Sequence, residues 1–349
     1  MKSITSTSVV IVCLLIAASM VFLAGSGTRD LQAQSPAQIT SEHYRLSGPY
    51  THNNLTVFLV HGKDQTTRTF LTLQEALAQK KVRVYETKEV NELAISNLSN
   101  ENIYVQAGDI VRGGDQDRMI SIDFIVPPKS GRMPIAAFCV ESGRWNKRGN
   151  EENAVFVSSE NGVVSKEIKL AAKSKKSQQE VWETVKVAQD KLSSNVGGSV
   201  RSRDSASSLE LSVEDPKVKE TTAAYLESLS GLLQNKRDVI GYVFAINGKV
   251  NSADIYASHA LFAKLWPKLI KASSVEAVAE IQKGLDHPPV TDETVKAFLA
   301  ESEQATASTK DVTPHVRLVT REDDKNVFYE TQDRTQKDGF VHRNYIRKQ

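Results

Sequence analysis

The chain has 349 residues, with 44 Lys and Arg against 42 Asp and Glu and a formal net charge of +2. That balance excludes a nucleic-acid binder built on a broad basic surface, because phosphate contacts need clustered Lys and Arg. With 40% hydrophobic and 25% charged residues the composition is that of a folded chain, long enough for one large domain or two modest ones.

Lys2 and a polar stretch precede an apolar run at residues 9–25 (VVIVCLLIAASMVFLAG), the layout of a charged n-region followed by an h-region. Ala33 offers a small residue for cleavage, so residues 1–33 read as a signal peptide or, uncleaved, as an N-terminal anchor near the lower limit of bilayer-spanning length. Ser26 stands where a lipoprotein box would carry its Cys, which removes lipidation. On either reading the rest of the chain is expected outside the cytoplasm, periplasmic or secreted, meeting a membrane only through such an anchor. With Cys13 in the leader, Cys139 is left alone within the apolar PIAAFCV segment, where it is expected to pack as a small hydrophobe.

After a polar lead-in, strands are expected at residues 43–48 and 54–62, separated by a turn at 49–53. Phe70, Leu73, Ala76 and Leu77 are spaced for an amphipathic helix over 69–79. Short strands follow at 82–86, 93–96, 103–105 and 109–112. Residues 119–126 (MISIDFIV) alternate, predicting one strand with a packed face, and 134–141 and 154–157 add two more. Val181, Trp182, Val185, Ala188 and Leu192 form one stripe of a helix at 178–192. Residues 193–212, richest in Ser, Gly and Arg up to 208, read as a flexible surface excursion. Asp215-Pro216 opens a helix as N-cap and first helical residue. Asn247-Gly248 joins strands 239–246 and 249–256 in a tight hairpin. A helix over 258–271 is expected to kink or break at Pro267. Helices at 275–282 and 291–303, around a turn at 287–289, lead to closing strands at 316–320, 327–331 and 339–346. The sum is an α+β fold of mostly antiparallel sheets with flanking amphipathic helices, a single domain over 40–347.

Two stretches concentrate unusual residues. In AGDIVRGGDQDR, Gly113 and Gly114 allow a tight turn whose amides could cradle an anion, with Asp115, Gln116, Asp117 and Arg118 directly after; the spacing matches neither a P-loop nor a dinucleotide fingerprint. In VESGRW, Glu141 and Arg144 can pair at a strand end, Gly143 permits close approach, and Trp145 could stack on a planar group. Ser252, Asp254 and His259 lie close in sequence but read as surface and capping residues. The other histidines lack metal-ligand spacing, and the basic runs 173–176 and 343–348 read as solvated faces. No metal or cofactor signature stands out, and none is expected.

The run from Gly108-Asp109 through Gly113-Gly114-Asp115-Gln116-Asp117-Arg118 to Cys139-Val140-Glu141-Ser142-Gly143-Arg144-Trp145 resembles a bacterial domain family named for its association with ADP-ribosylglycohydrolases and the rhodanese–phosphatase superfamily. Gln179-Glu180-Val181-Trp182, the hairpin at 245–254 and the helix containing LFAKLWPKL support the resemblance, which spans roughly residues 40 to 345. It implies no catalytic residue and only an associative link to nucleotide-derived ligands. The expectation is therefore an exported domain that binds a small polar ligand or an envelope protein. Its site would comprise Gly113, Gly114, Asp115, Gln116, Arg118, Glu141, Gly143, Arg144 and Trp145. The alternative is a hydrolase of phosphate- or ADP-ribose/nucleotide-type substrates, with Asp115, Asp117 or Glu141 as general base or metal ligand and Arg118 and Arg144 holding the anion.

Overall fold

A computed structural model describes residues 44–144, 156–336 and 339–348. The leader at 1–33, Trp145 and the expected strand start at 154–155 lie outside the described residues. Among those described, no helix is long and apolar enough to cross a membrane.

The N-terminal half begins with strands β1 (Arg45–His52) and β2 (Leu55–His61), and β1 runs on through Pro49 where a turn was expected. Proline is tolerated because β1 is an edge strand and its register shifts between Ser47 and Tyr50. The short β3 (Leu71–Thr72) leads into α1 (Leu73–Ala78), started by a capping box in which Thr72 and Glu75 each bond the other's backbone amide. Then come β4 (Val82–Glu86), β5 (Glu92–Asn97), β6 (Ile103–Val105) and β7 (Asp109–Arg112). The alternating segment 119–126 is not one strand. It splits into β8 (Arg118–Ile120) and β9 (Phe124–Val126), which join different sheets, and Asp123 between them is turned inward and buried. Next are β10 (Met133–Cys139), with Cys139 buried, and β11 (Val157–Val163).

The helical half opens with α2 (Lys166–Leu170), which passes into a π-helical turn, Ala171–Lys175; neither was expected. After α3 (Gln178–Asn195), the serine-rich stretch is pinned rather than loose. Gln189 donates to the Ala206 and Ser208 carbonyls, Ser193 takes the Val200 amide, and Ser208 caps α4 (Leu209–Val213). Its small polar residues act as caps and backbone partners, so low hydrophobicity here does not mean freedom. Asp215 and Pro216 start α5 (Pro216–Leu229) as expected. The β12 (Val239–Ile246) and β13 (Lys249–Tyr256) hairpin turns at Asn247 and Gly248, both at positive φ.

The helix α6 runs unbroken from His259 to Ala279 and absorbs the separate helix expected at 275–282. Pro267 is exposed, and buried Leu265, Trp266, Leu269 and Ile270 carry the helix past the one bond it cannot make. The fold closes with α7 (Asp292–Ser302), a solvent-exposed β14 (Ala307–Thr313) that was not expected, then β15 (Val316–Glu322), β16 (Asn326–Asp333) and β17 (Gly339–Arg347).

The strands form an eight-stranded sheet (β1-β2-β12-β13-β17-β16-β15-β14), a six-stranded sheet (β11-β7-β8-β10-β5-β4) and a three-stranded one (β3-β6-β9). Pairing is antiparallel except between β3 and β6. One face of the large sheet packs Tyr242 and Tyr256 against Phe262 and Trp266 of α6; the other packs Val243 and Tyr345 near Phe298 and Leu299 of α7. Tyr104, Ile125 and Val163 from the smaller sheets enter the first of these cores. The fold thus brings all three sheets and α6 to one place.

Candidate functional site

The two glycine-bearing corners meet. Arg144 donates from Nη1 to the Gly114 carbonyl at 3.2 Å, and its Nη2 lies 2.8 Å from Glu141 and 3.6 Å from Asp117. Asp117 takes the Gly113 amide at 3.1 Å and the Ser208 hydroxyl at 3.3 Å, and its own amide donates to Glu141 Oε2 at 3.2 Å. Arg118, 2% exposed, donates to the Val90 carbonyl and to Glu86, whose other oxygen takes the Asp115 amide. Gly114 adopts a φ of +57°, and a Cβ there would stand 2.4 Å from Glu86 Oε1 and 2.5 Å from Phe156, so glycine is required. Gln116 is fully buried with no partner for its amide, whereas Asp115 is half-buried and Gly143 exposed. The charged groups of this corner therefore close on one another.

A second polar cluster, deeper in the molecule, was not anticipated. His342 on β17 sits between two carboxylates, Nδ1 at 2.7 Å from Asp123 and Nε2 at 3.0 Å from Asp254 on β13. All three are at most 2% exposed. Both ring nitrogens face carboxylates, so both carry protons and the ring is an imidazolium. Asp123 also takes the Ala107 amide and the Thr331 hydroxyl, and Asp254 takes the Asn344 amide. Tyr256 stacks on the imidazolium at 4.4 Å, and Tyr104 meets both rings edge-on. Nearby, Lys268 of α6 is bonded to buried Asp109, which also takes the backbone N–H of Gln106. Lys169 and Lys173 reach the same region from α2 and the π-turn. Lys173 Nζ lies 3.7 Å over the Tyr329 ring. Gly108, at φ +95°, makes room for Lys169, whose Cε would be 2.8 Å from a Cβ there.

Burial drives the charged groups of this centre toward neutrality, and their neighbours reverse it. Burial raises the Asp123 carboxyl, but the charge and hydrogen bond of His342, with Lys173 and the Ala107 amide, hold it well below the usual range. Burial likewise raises Asp254, and Lys169 and His342 bring it down. His342 itself is lowered by burial but raised overall by the charge and bond of Asp123 and the bond of Asp254. Lys173 is lowered to about 8 by burial of its ammonium end. Behind the corner, burial lifts Glu210 of α4 to about 7, reinforced by Glu214 and Asp117 against the Ser159 hydrogen bond. Burial also pushes the Cys139 thiol up to about 11, so it is no ready nucleophile.

Several sequence readings are corrected by this centre. Asp254 is not a surface residue and pairs with His342, not His259. Lys173 is not on a solvated face, and neither is Arg343, which is buried and bonded to Glu330. Tyr104, Tyr256 and Gln106 are fully buried, yet the two phenol oxygens and both polar atoms of the Gln106 amide have no partner. Among the described residues no group of three or more His, Cys, Asp and Glu side chains is arranged to hold a metal ion.

Residues 43–346 match the family described as the ARG and Rhodanese-Phosphatase-superfamily-associated Protein domain. No curated protein and no solved structure matches the chain.

Proposed function

The chain belongs to this domain family, and we propose that it binds a small polar ligand at the centre formed by Asp123, Asp254 and His342. The observation that carries the reading is the set of stranded hydrogen-bonding atoms on Tyr104, Gln106 and Tyr256, all fully buried. A buried polar atom without a partner costs about 1–3 kcal/mol, so such atoms in one cluster mark where solvent or ligand atoms belong. The imidazolium fixed between two carboxylates supplies a rigid floor, since neither Asp123 nor Asp254 can move without leaving a buried charge unpaired. The apolar run at residues 9–25 supports a reading in which the domain is exported and meets its ligand outside the cytoplasm.

Thermal denaturation of the full chain with polyols, sugars, carboxylates and phosphates tests the reading. At least one class is expected to raise the melting temperature saturably, and the shift should shrink in a Tyr104→Phe, Tyr256→Phe double variant. A shift of equal size in that variant would place the ligand elsewhere.

A further inference from the structure

The carboxylates of the buried centre are already answered. Asp109 has Lys268, the Gln106 backbone N–H and Gln74; Asp123 has His342, Thr331 and the Ala107 backbone N–H; Asp254 has His342 and Asn344. An incoming cation would find each of them occupied. The lysines differ. Lys169 is 7% exposed, and among the described residues no carboxylate lies within ion-pair distance of its ammonium. Lys173, one turn further on, rests on the Tyr329 ring instead of a carboxylate. The Lys169 charge still bears on Asp254, whose carboxyl it helps hold down, but a buried ammonium with no directly bonded carboxylate gains one when an anion arrives. The lysines are carried by α2 and a π-turn, an element common at functional sites and rare elsewhere. At Gly108 the backbone packs directly on the Lys169 stem, whose Cε would be 2.8 Å from a Cβ there.

We infer that the centre takes a small anion, a carboxylate or a phosphate, with the Lys169 ammonium as its ionic anchor and Tyr104, Gln106 and Tyr256 giving neutral hydrogen bonds. The inference rests on the reading of this centre as a ligand site and adds the charge of what enters it. Lysine serves as a point charge, so either anion geometry fits the anchor, and Lys173 at 3.7 Å from the Tyr329 ring is the second cation available to a doubly charged phosphate.

Calorimetric titration and thermal denaturation of the full chain would use sodium acetate, inorganic phosphate and glucose, at ionic strength held constant with chloride. Saturable binding of acetate or phosphate is expected, and which one binds separates the two sources. In Lys169→Met that binding should weaken at least tenfold, while Lys169→Arg, which keeps the charge, retains most of it. Circular dichroism confirms that both variants fold; if Lys169→Met does not, the same comparison is made with Lys169→Gln. Undiminished anion binding in the uncharged variant overturns the assignment of the anchor. Glucose binding with both anions silent overturns the anion class but leaves a ligand site. Silence of all three probes, with a Tyr104→Phe, Tyr256→Phe variant as stable as the parent, overturns both.

Discussion

The corner at Gly113–Arg118 and Glu141–Arg144 and the centre at His342 are both dense in buried charge, but they resolve it differently. In the corner, Arg144 answers Glu141 and Asp117, and Arg118 answers Glu86. The acid behind it, Glu210, avoids an unpaired charge by holding its proton to about 7. In the centre the carboxylates are satisfied, whereas Lys169 has no direct ion pair and the polar side-chain atoms of Tyr104, Gln106 and Tyr256 have no hydrogen-bond partner. Density of charged residues is thus a poor guide to a site; capacity left over is the better one.

The largest expected effect tests the centre. His342→Ala leaves Asp123 and Asp254 facing each other without their shared cation, and should cost roughly 3–5 kcal/mol in urea denaturation. A cost under about 1 kcal/mol would mean that water already solvates the pair. Arg144→Ala should cost about 2–4 kcal/mol, since the guanidinium is 9% exposed and its partners are fully buried. The same variant should leave the anion response intact, and any loss of that response would blur the distinction between the regions.

The third test concerns pH. Burial raises Glu210 to about 7, so between pH of about 4.5 and about 7 the unfolded carboxyl ionises while the native one stays protonated. Native stability should therefore fall as pH rises through that window. Glu210→Gln, which can still accept from Ser159, removes the dependence. Relative to the parent it should gain up to roughly 3 kcal/mol between pH 5 and 8, read from paired denaturation curves. Parallel curves would show that Glu210 ionises as readily folded as unfolded.

What the sequence disclosed follows the reach of the interactions. The Asn247-Gly248 hairpin, the Asp215-Pro216 helix start and the Glu141–Arg144 pair are local, and local spacing predicted each of them. That the two corners would meet was a longer guess, resting on glycines that need a close neighbour, and Arg144 does reach the Gly114 carbonyl. The His342 centre was illegible because Asp123, Asp254 and His342 come from segments far apart in the chain and meet only through sheet order. Asp123 was further disguised by an alternation that assigned it to a strand's polar face. Lys169 and Lys173 lie near a run of lysines that resembles a wet surface until the fold covers it. Pro267 misled because the rule against helical proline assumes nothing outweighs one lost bond, and an apolar stripe on both sides of it does.

The position of β17 has a consequence for synthesis. It is the last described strand, yet it lies inside the large sheet, between β13 and β16. A ribosome therefore releases both neighbours before the segment that joins them, and until then two open strand edges invite other chains. His342 and Asn344 arrive on that same segment, so the buried His342 centre is assembled only once the sheet is sealed.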